Sequence, residues 1–216
     1  GMIMNTDKPL ILISNDDGVS AKGINILVET LAGLGQIVVM APDGPRSGAS
    51  GAITSELPVR YYKVKEEKDL TVYKCSGTPV DCVKLAMFEL LPRCPDLVIG
   101  GINHGDNSAV NVHYSGTMGV VIEGCLKGVP AIGYSLCDHD ADADFAPMLP
   151  YVRRIAEEVL KHGLPKGTCL NVNAPKGTEL KGVRICRQTD ASWGNEWCRG
   201  QHPKGGEYFW LTGKFT

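Results

Sequence analysis

The chain has 216 residues, long enough to bury a full core without staples and sized for one large domain with an added segment. Lys and Arg number 22 against 24 Asp and Glu, so the net charge of −2 excludes a duplex nucleic-acid footprint, which needs a clear basic excess. The 43 % hydrophobic content excludes a disordered chain, and the apolar runs are too short to span a bilayer.

Pro9 to Ser14 is a continuous apolar run, expected as a strand buried on both faces, and Asn15-Asp16-Asp17-Gly18 ends it in a turn. Ile24, Leu27, Val28 and Leu31 recur at helical spacing until Gly33 and Gly35, and Gln36 to Ala41 is a second buried strand. The right-handed crossover rule makes these two strands parallel. Asp43 to Thr54 is a Gly- and Ser-rich loop. Pro58 to Val64 and Leu70 to Cys75 read as an antiparallel hairpin turning at Lys65 to Asp69.

Thr78, Pro79 and Asp81 fit the N-cap, first helical and capping-box positions of a helix whose apolar stripe is Val80, Val83, Met87 and Leu90. Asp96 to Gly100 is a further buried strand, followed by a polar loop from Gly101 to Tyr114. Met118, Val121, Ile122, Cys125 and Leu126 predict an amphipathic helix opening at Ser115-Gly116-Thr117, then Val129 to Ser135 a strand. A helix from about Pro147 to His162 and a strand from Thr168 to Val172 complete the alternation. The pattern predicts an α/β fold: a Rossmann-like, doubly wound, mostly parallel sheet with a β-hairpin insertion. Residues 1–180 form this core. Residues 181–216, polar and Gly-rich with Trp193, Trp197 and Trp210, read as a C-terminal arm rather than more of the sheet.

The eight cysteines are scattered without a CxxC pair, and Cys82 and Cys125 fall inside apolar helical patterns, so reduced thiols in a cytoplasmic protein are expected. Gly1-Met2 reads as a remnant of cloning before a polar start, without a secretory leader.

Ligands of open α/β sheets bind beyond the carboxyl ends of the strands. The groups expected there are Asn15, Asp16, Asp17 and Gly18; then Arg46, Ser47 and Gly48; then Asn103, His104, Asp106 and Asn107; and Ser115-Gly116-Thr117. Asp16 and Asp17 aim at one point only if the chain leaves the strand there, and two close carboxylates repel unless a cation neutralises them. Their oxygens, with those of Ser47 and Asn103, suit Mg²⁺ or Mn²⁺ rather than zinc. A plain turn that caps the following helix accounts for the same Asp-Asp-Gly. Ser115-Gly116-Thr117 is either an anion site built from free N–H groups or a simple Ser N-cap. His104 lies in the crevice loop within reach of substrate. Asp138 to Asp144 has calcium-loop spacing, but Ala143 and Leu149 stand where Gly and Glu belong, which favours a solvated acidic loop.

Taken together, Ser14-Asn15-Asp16-Asp17-Gly18 with Gly23-Ile24, Ala41-Pro42-Asp43 leading to Ser47-Gly48, and Gly77-Thr78-Pro79-Val80-Asp81-Cys82-Val83 resemble the survival protein E (SurE) family. Pro95-Asp96-Leu97-Val98 running into Gly101-Ile102-Asn103-His104-Gly105-Asp106-Asn107, and Tyr114-Ser115-Gly116-Thr117 with Glu123-Gly124, extend the likeness. Pro203-Lys204-Gly205 and Tyr208-Phe209-Trp210 resemble that family's C-terminal extension.

The resemblance implies a metal-dependent nucleotidase that hydrolyses nucleoside 5′-monophosphates, with 3′-monophosphates left open. Asp16, Asp17, Ser47 and Asn103 would ligate one divalent cation per subunit, Mg²⁺ or Mn²⁺. Asp16 or Asp17 would be catalytic, and Asn107, Ser115, Gly116 and Thr117 would bind phosphate. It also implies a homodimer or homotetramer built with the C-terminal arm. Ala109 and Gly100 depart from the family's usual Gly and Ser. The rivals are a receiver-like phospho-signalling module, which needs an Asp where Gly100-Gly101 stand, and a haloacid-dehalogenase-type phosphatase, which needs Asp-x-Asp.

Overall fold

The structure, a computed structural model, describes residues 7–45, 58–104, 116–137, 142–165 and 167–174, together with the backbone of Arg184–Thr189 and Glu196–Trp197. The elements run β1 (Leu10–Ser14), α1 (Lys22–Leu31), β2 (Gln36–Pro42), β3 (Tyr61–Glu67), β4 (Leu70–Cys75), α2 (Pro79–Leu85), β5 (Leu97–His104), α3 (Gly116–Leu126), β6 (Ala131–Leu136), α4 (Leu149–His162), β7 (Thr168–Ala174), β8 (Arg184–Thr189) and β9 (Glu196–Trp197). A π-helical turn, Ala86–Leu90, follows α2, and a 3₁₀ turn, Ala146–Met148, leads into α4.

The strands form one sheet in the order β3-β4-β2-β1-β5-β6-β7-β8-β9. The six inner strands from β4 to β7 are parallel, and β3, β8 and β9 pair antiparallel at the edges. All five residues of β1 and all seven of β2 are buried, as unbroken apolar runs require of strands covered on both faces. Ile11, Ile13, Val39, Ile99, Ile132 and Val172 face α1 and α4. Leu10, Leu12, Met40, Val98, Ala131 and Cys169 face α2 and α3. After β1 the chain builds outward on one side and after β4 on the other, so β1 and β5 flank the switch point of the sheet.

Local chemistry sets several boundaries. The α2 capping box forms as expected: Asp81 N–H donates to Thr78 Oγ1 at 3.2 Å and Thr78 N–H to Asp81 Oδ2 at 2.9 Å. Arg153 on α4 donates to the carbonyls of Thr30 and Ala32, which closes the C-terminus of α1. Cys75, Cys82, Cys94, Cys125, Cys137 and Cys169 form no disulfide with one another.

Three expectations are corrected. The hairpin turns at Lys68-Asp69, with Asp69 at φ +61°, and β3 continues through Glu67; its alternating Lys and Glu are those of an exposed edge strand. The strand expected to stop at Gly100 runs on to His104 past a bulge. Beyond residue 181, Arg184–Thr189 and Glu196–Trp197 do join the sheet, because β7 offers an open edge to antiparallel pairing.

Candidate active site

The chain leaves β1 through a turn clamped by Asn15. Its side-chain amide donates to the Gly18 carbonyl at 2.9 Å, and its carbonyl oxygen accepts from the Gly18 N–H at 3.1 Å. Gly18 adopts φ +107°, a conformation that side chains resist, and the next N–H, that of Val19, donates to Pro42 O at 2.8 Å. Asp16 and Asp17 are the two residues inside this clamp. Asp16 is only 7 % exposed and Asp17 half-buried. Burial pushes the Asp17 carboxyl above the ordinary carboxylate range, while the charge of His104 pulls it down. The ends of β1 and β5 therefore act on each other electrostatically.

Asn15, expected among the groups at the strand end, spends its side chain on the turn, as an Asn three residues before a Gly can. Asn15→Ala strips both partners from the buried Gly18 peptide groups and is expected to destabilise the chain by about 2–3 kcal/mol. Urea unfolding of the variant checks this.

β5 supplies the second half of the site. Its register places Gly100 beside Ser14, and beyond the bulge Asn103 beside Ser135, which pairs in turn with Asn173. Asn103 and His104 are thus the last two residues of a strand, half-buried, rather than members of a free loop. Gly23 in the first turn of α1 packs against the Ile102 carbonyl so closely that a Cβ would overlap it.

α3 begins over the same floor. A Cβ on Gly100 would meet Thr117 Cγ2 and the Thr117 carbonyl at 2.9 Å, so the glycine lets the first turn of the helix lie directly on β5. Ser14, Gly100, Gly133 and Asn171 form one row across four strands beneath it. Among the described residues, Ser14 Oγ, Thr117 Oγ1 and Asn171 Oδ1 are enclosed oxygens without a hydrogen-bond partner. Natural proteins keep few such groups without a ligand or water to satisfy them.

Of the predicted site residues, the structure thus gathers Asp16, Asp17, Asn103, His104 and Thr117, with Gly116 opening α3, around the carboxyl ends of β1 and β5. Ser47, Asn107 and Ser115, and Asp138 to Asp140 of the acidic loop, lie outside the described residues. The donors present fit a hard divalent cation: two adjacent carboxylates, one of them costly to keep charged, and an amide oxygen. Among the described residues no three His, Cys, Asp or Glu side chains converge as a zinc centre would require. A hollow of 790 Å³ lined by Val59, Lys84, Met87, Phe88 and Leu91 contains none of these groups. Among the described residues no helix is long and apolar enough to cross a membrane.

The family described as Survival protein SurE matches residues 11–195. The 5′-nucleotidase SurE of Phocaeicola vulgatus is 74 % identical over 212 residues, spanning 98 % of this chain and 82 % of that protein. The 5′-nucleotidase SurE of Bacteroides thetaiotaomicron is 62 % identical over 213 residues, 99 % of this chain and 82 % of its own. The crystal structure of the SurE protein from Aquifex aeolicus is similar at a TM-score of 0.70 and 38 % identity, covering 78 % of this chain and 67 % of that one.

Proposed function

The chain belongs to the survival protein SurE family, and from that premise we infer that it is a 5′-nucleotidase, a phosphomonoesterase that releases phosphate from nucleoside 5′-monophosphates with the help of a divalent cation. The observation that carries this reading is the meeting of Asp16-Asp17 and Asn103-His104 at the switch point of the sheet, beside the start of α3. A receiver-like module would need an acidic phosphoacceptor where β5 carries Gly100-Gly101.

Asp16, Asp17 and Asn103, with Ser47, would hold one Mg²⁺ or Mn²⁺, which when bound polarises a phosphoryl oxygen and acidifies water. The chain's own groups do the rest. The free N–H groups at the start of α3, at Gly116 and Thr117, donate to phosphate oxygens, joined by Ser115 and Asn107. Among the described residues the enclosed Thr117 hydroxyl has no hydrogen-bond partner, which leaves it able to donate to a phosphate oxygen. His104 contacts the substrate, and a carboxylate of the Asp16-Asp17 pair takes the proton of the attacking water. Local positive charge then comes from a helix start and a cation, which is compatible with a net charge of −2. In this reading the protein is cytoplasmic and assembles as a homodimer or homotetramer, with the chain beyond residue 180, whose Arg184–Thr189 and Glu196–Trp197 extend the core sheet, contributing to assembly.

Thr117→Val separates binding from folding. Since the hydroxyl lacks a partner among the described residues, stability is expected to stay within about 1 kcal/mol of wild type. Competitive inhibition by inorganic phosphate is expected to weaken about tenfold. The function itself is tested by a phosphate-release panel of nucleoside 5′- and 3′-monophosphates with Mg²⁺ or Mn²⁺. Release from the 5′-monophosphates with either ion is expected; no release from any nucleotide, or labelling of the chain by acetyl phosphate, contradicts it.

A further inference from the structure

Behind His104 the structure holds a wall that the nucleotidase reading leaves without a role. In the segment 143–148 that leads into α4, Ala143, Phe145 and Met148 are all buried. Asp144 Oδ1 accepts from the Ala146 N–H at 3.0 Å and shapes the turn. Phe145, 1 % exposed, presents its ring to two partners. The His104 imidazole packs against it at 5.8 Å between centroids and 87° between planes. Lys22, the first residue of α1, lies with its Nζ 5.6 Å from the same ring and donates to the Ala143 carbonyl at 2.8 Å.

An aromatic ring buried only for its area has no need to face two polar groups. Here a perpendicular ring pair and a cation over a ring share one phenyl, both attractive because of the ring's quadrupole. His104 ends β5 next to Asn103, and Lys22 opens α1 shortly after Asp16-Asp17. The ring is thus fixed by burial directly beside the imidazole.

We infer that Phe145 is a positioning residue: it holds the His104 imidazole in the orientation that contacts the nucleoside monophosphate, with Lys22 locking the segment that carries it. This inference rests on the nucleotidase reading of the same site.

The test is a double-mutant cycle. Phe145→Leu, which keeps an apolar side chain but loses the ring, is expected to lower kcat for a nucleoside 5′-monophosphate with Mn²⁺ about tenfold, as misplacement of a reacting group does. In a His104→Ala background the same change is expected to cost less than about twofold, because the group it positions is gone. Phe145→Tyr keeps the ring and is expected to recover most of the rate. Lys22→Met, a partly exposed change that leaves the ring in place, is expected to lower kcat about threefold alone and to have no effect in the Phe145→Leu background. An ¹⁵N-histidine spectrum checks that the ring contact exists in solution: the His104 signals shift in Phe145→Leu as the ring current is lost while those of His162 stay, and the non-additive cycle with the Phe145→Tyr rescue separates positioning from packing. Losses from Phe145→Leu and His104→Ala that add, or an unchanged His104 signal, overturn the inference while an active wild type leaves the nucleotidase reading intact. A wild-type chain inactive on every nucleotide with Mg²⁺ or Mn²⁺ overturns both.

Discussion

Asp16→Asn or Asp17→Asn is expected to lower cation-dependent phosphate release by about three orders of magnitude, the effect of losing several kcal/mol of transition-state charge stabilisation. Asn keeps the size and one oxygen of each side chain but removes the charge that draws a divalent ion. The Asn15 clamp on Gly18 does not involve either carboxylate, so the turn survives the change. Stability should move the other way. Burial raises the Asp17 carboxyl above its unfolded value, so the folded state holds this proton more tightly than the unfolded chain does. The stabilisation linked to that proton is complete below the unfolded value and is lost as pH rises through the folded one. Without a cation, the charged form of Asp17 is therefore the one that burial disfavours. Metal-free Asp17→Asn is expected to melt no lower than metal-free wild type, and added Mn²⁺ to raise the melting temperature of wild type only. Thermal unfolding with and without Mn²⁺, beside steady-state rates, separates the loss of function from a loss of fold.

Gly23→Ala is the second substitution with a large expected effect, at a residue that touches no substrate. The added methyl would overlap the Ile102 carbonyl oxygen, a backbone atom that cannot rotate away. α1 and the end of β5 must separate. Such overpacking is expected to cost about 3 kcal/mol. Asn103 and His104 follow Ile102 directly, and α1 carries Lys22, so the separation also pulls apart the two halves of the site. A displacement near 1 Å costs about 10²-fold in rate, and kcat is expected to fall by that factor in the protein that remains folded. Guanidinium unfolding and the rate per folded molecule check the two parts independently. A variant that unfolds early but keeps full kcat when folded would show that this contact serves stability alone.

The parts of the fold legible in the sequence are those governed by local or strictly periodic rules. Unbroken apolar runs such as Leu10–Ser14 are buried on both faces, and the Thr78-Asp81 capping box forms from residues three apart. The place of Asp16 and Asp17 just beyond the carboxyl end of β1 is likewise legible, because polar residues that end a buried apolar run mark the end of the strand.

What stayed hidden depended on distant partners. Gly101 to His104 has turn-forming composition, yet pairing of Asn103 with Ser135 and His104 with Leu136 on β6 keeps it in the strand. Tyr61 to Glu67 lacks an apolar alternation because both its faces are exposed, so its register comes from β4 rather than from a buried face. Phe145 gave no local signal: its neighbours Lys22 and His104 lie in other elements, and only the folded chain brings the three together.

One titration bears on the site most directly: phosphate release from a nucleoside 5′-monophosphate by the full chain as Mn²⁺ is raised from a chelated start, run beside Asp16→Asn. The expected result is release that is absent with chelator, saturates at one ion per chain in wild type, and stays flat in the variant. Release that persists in chelator, or that Asp16→Asn leaves unchanged, would contradict a cation held at the carboxyl ends of β1 and β5.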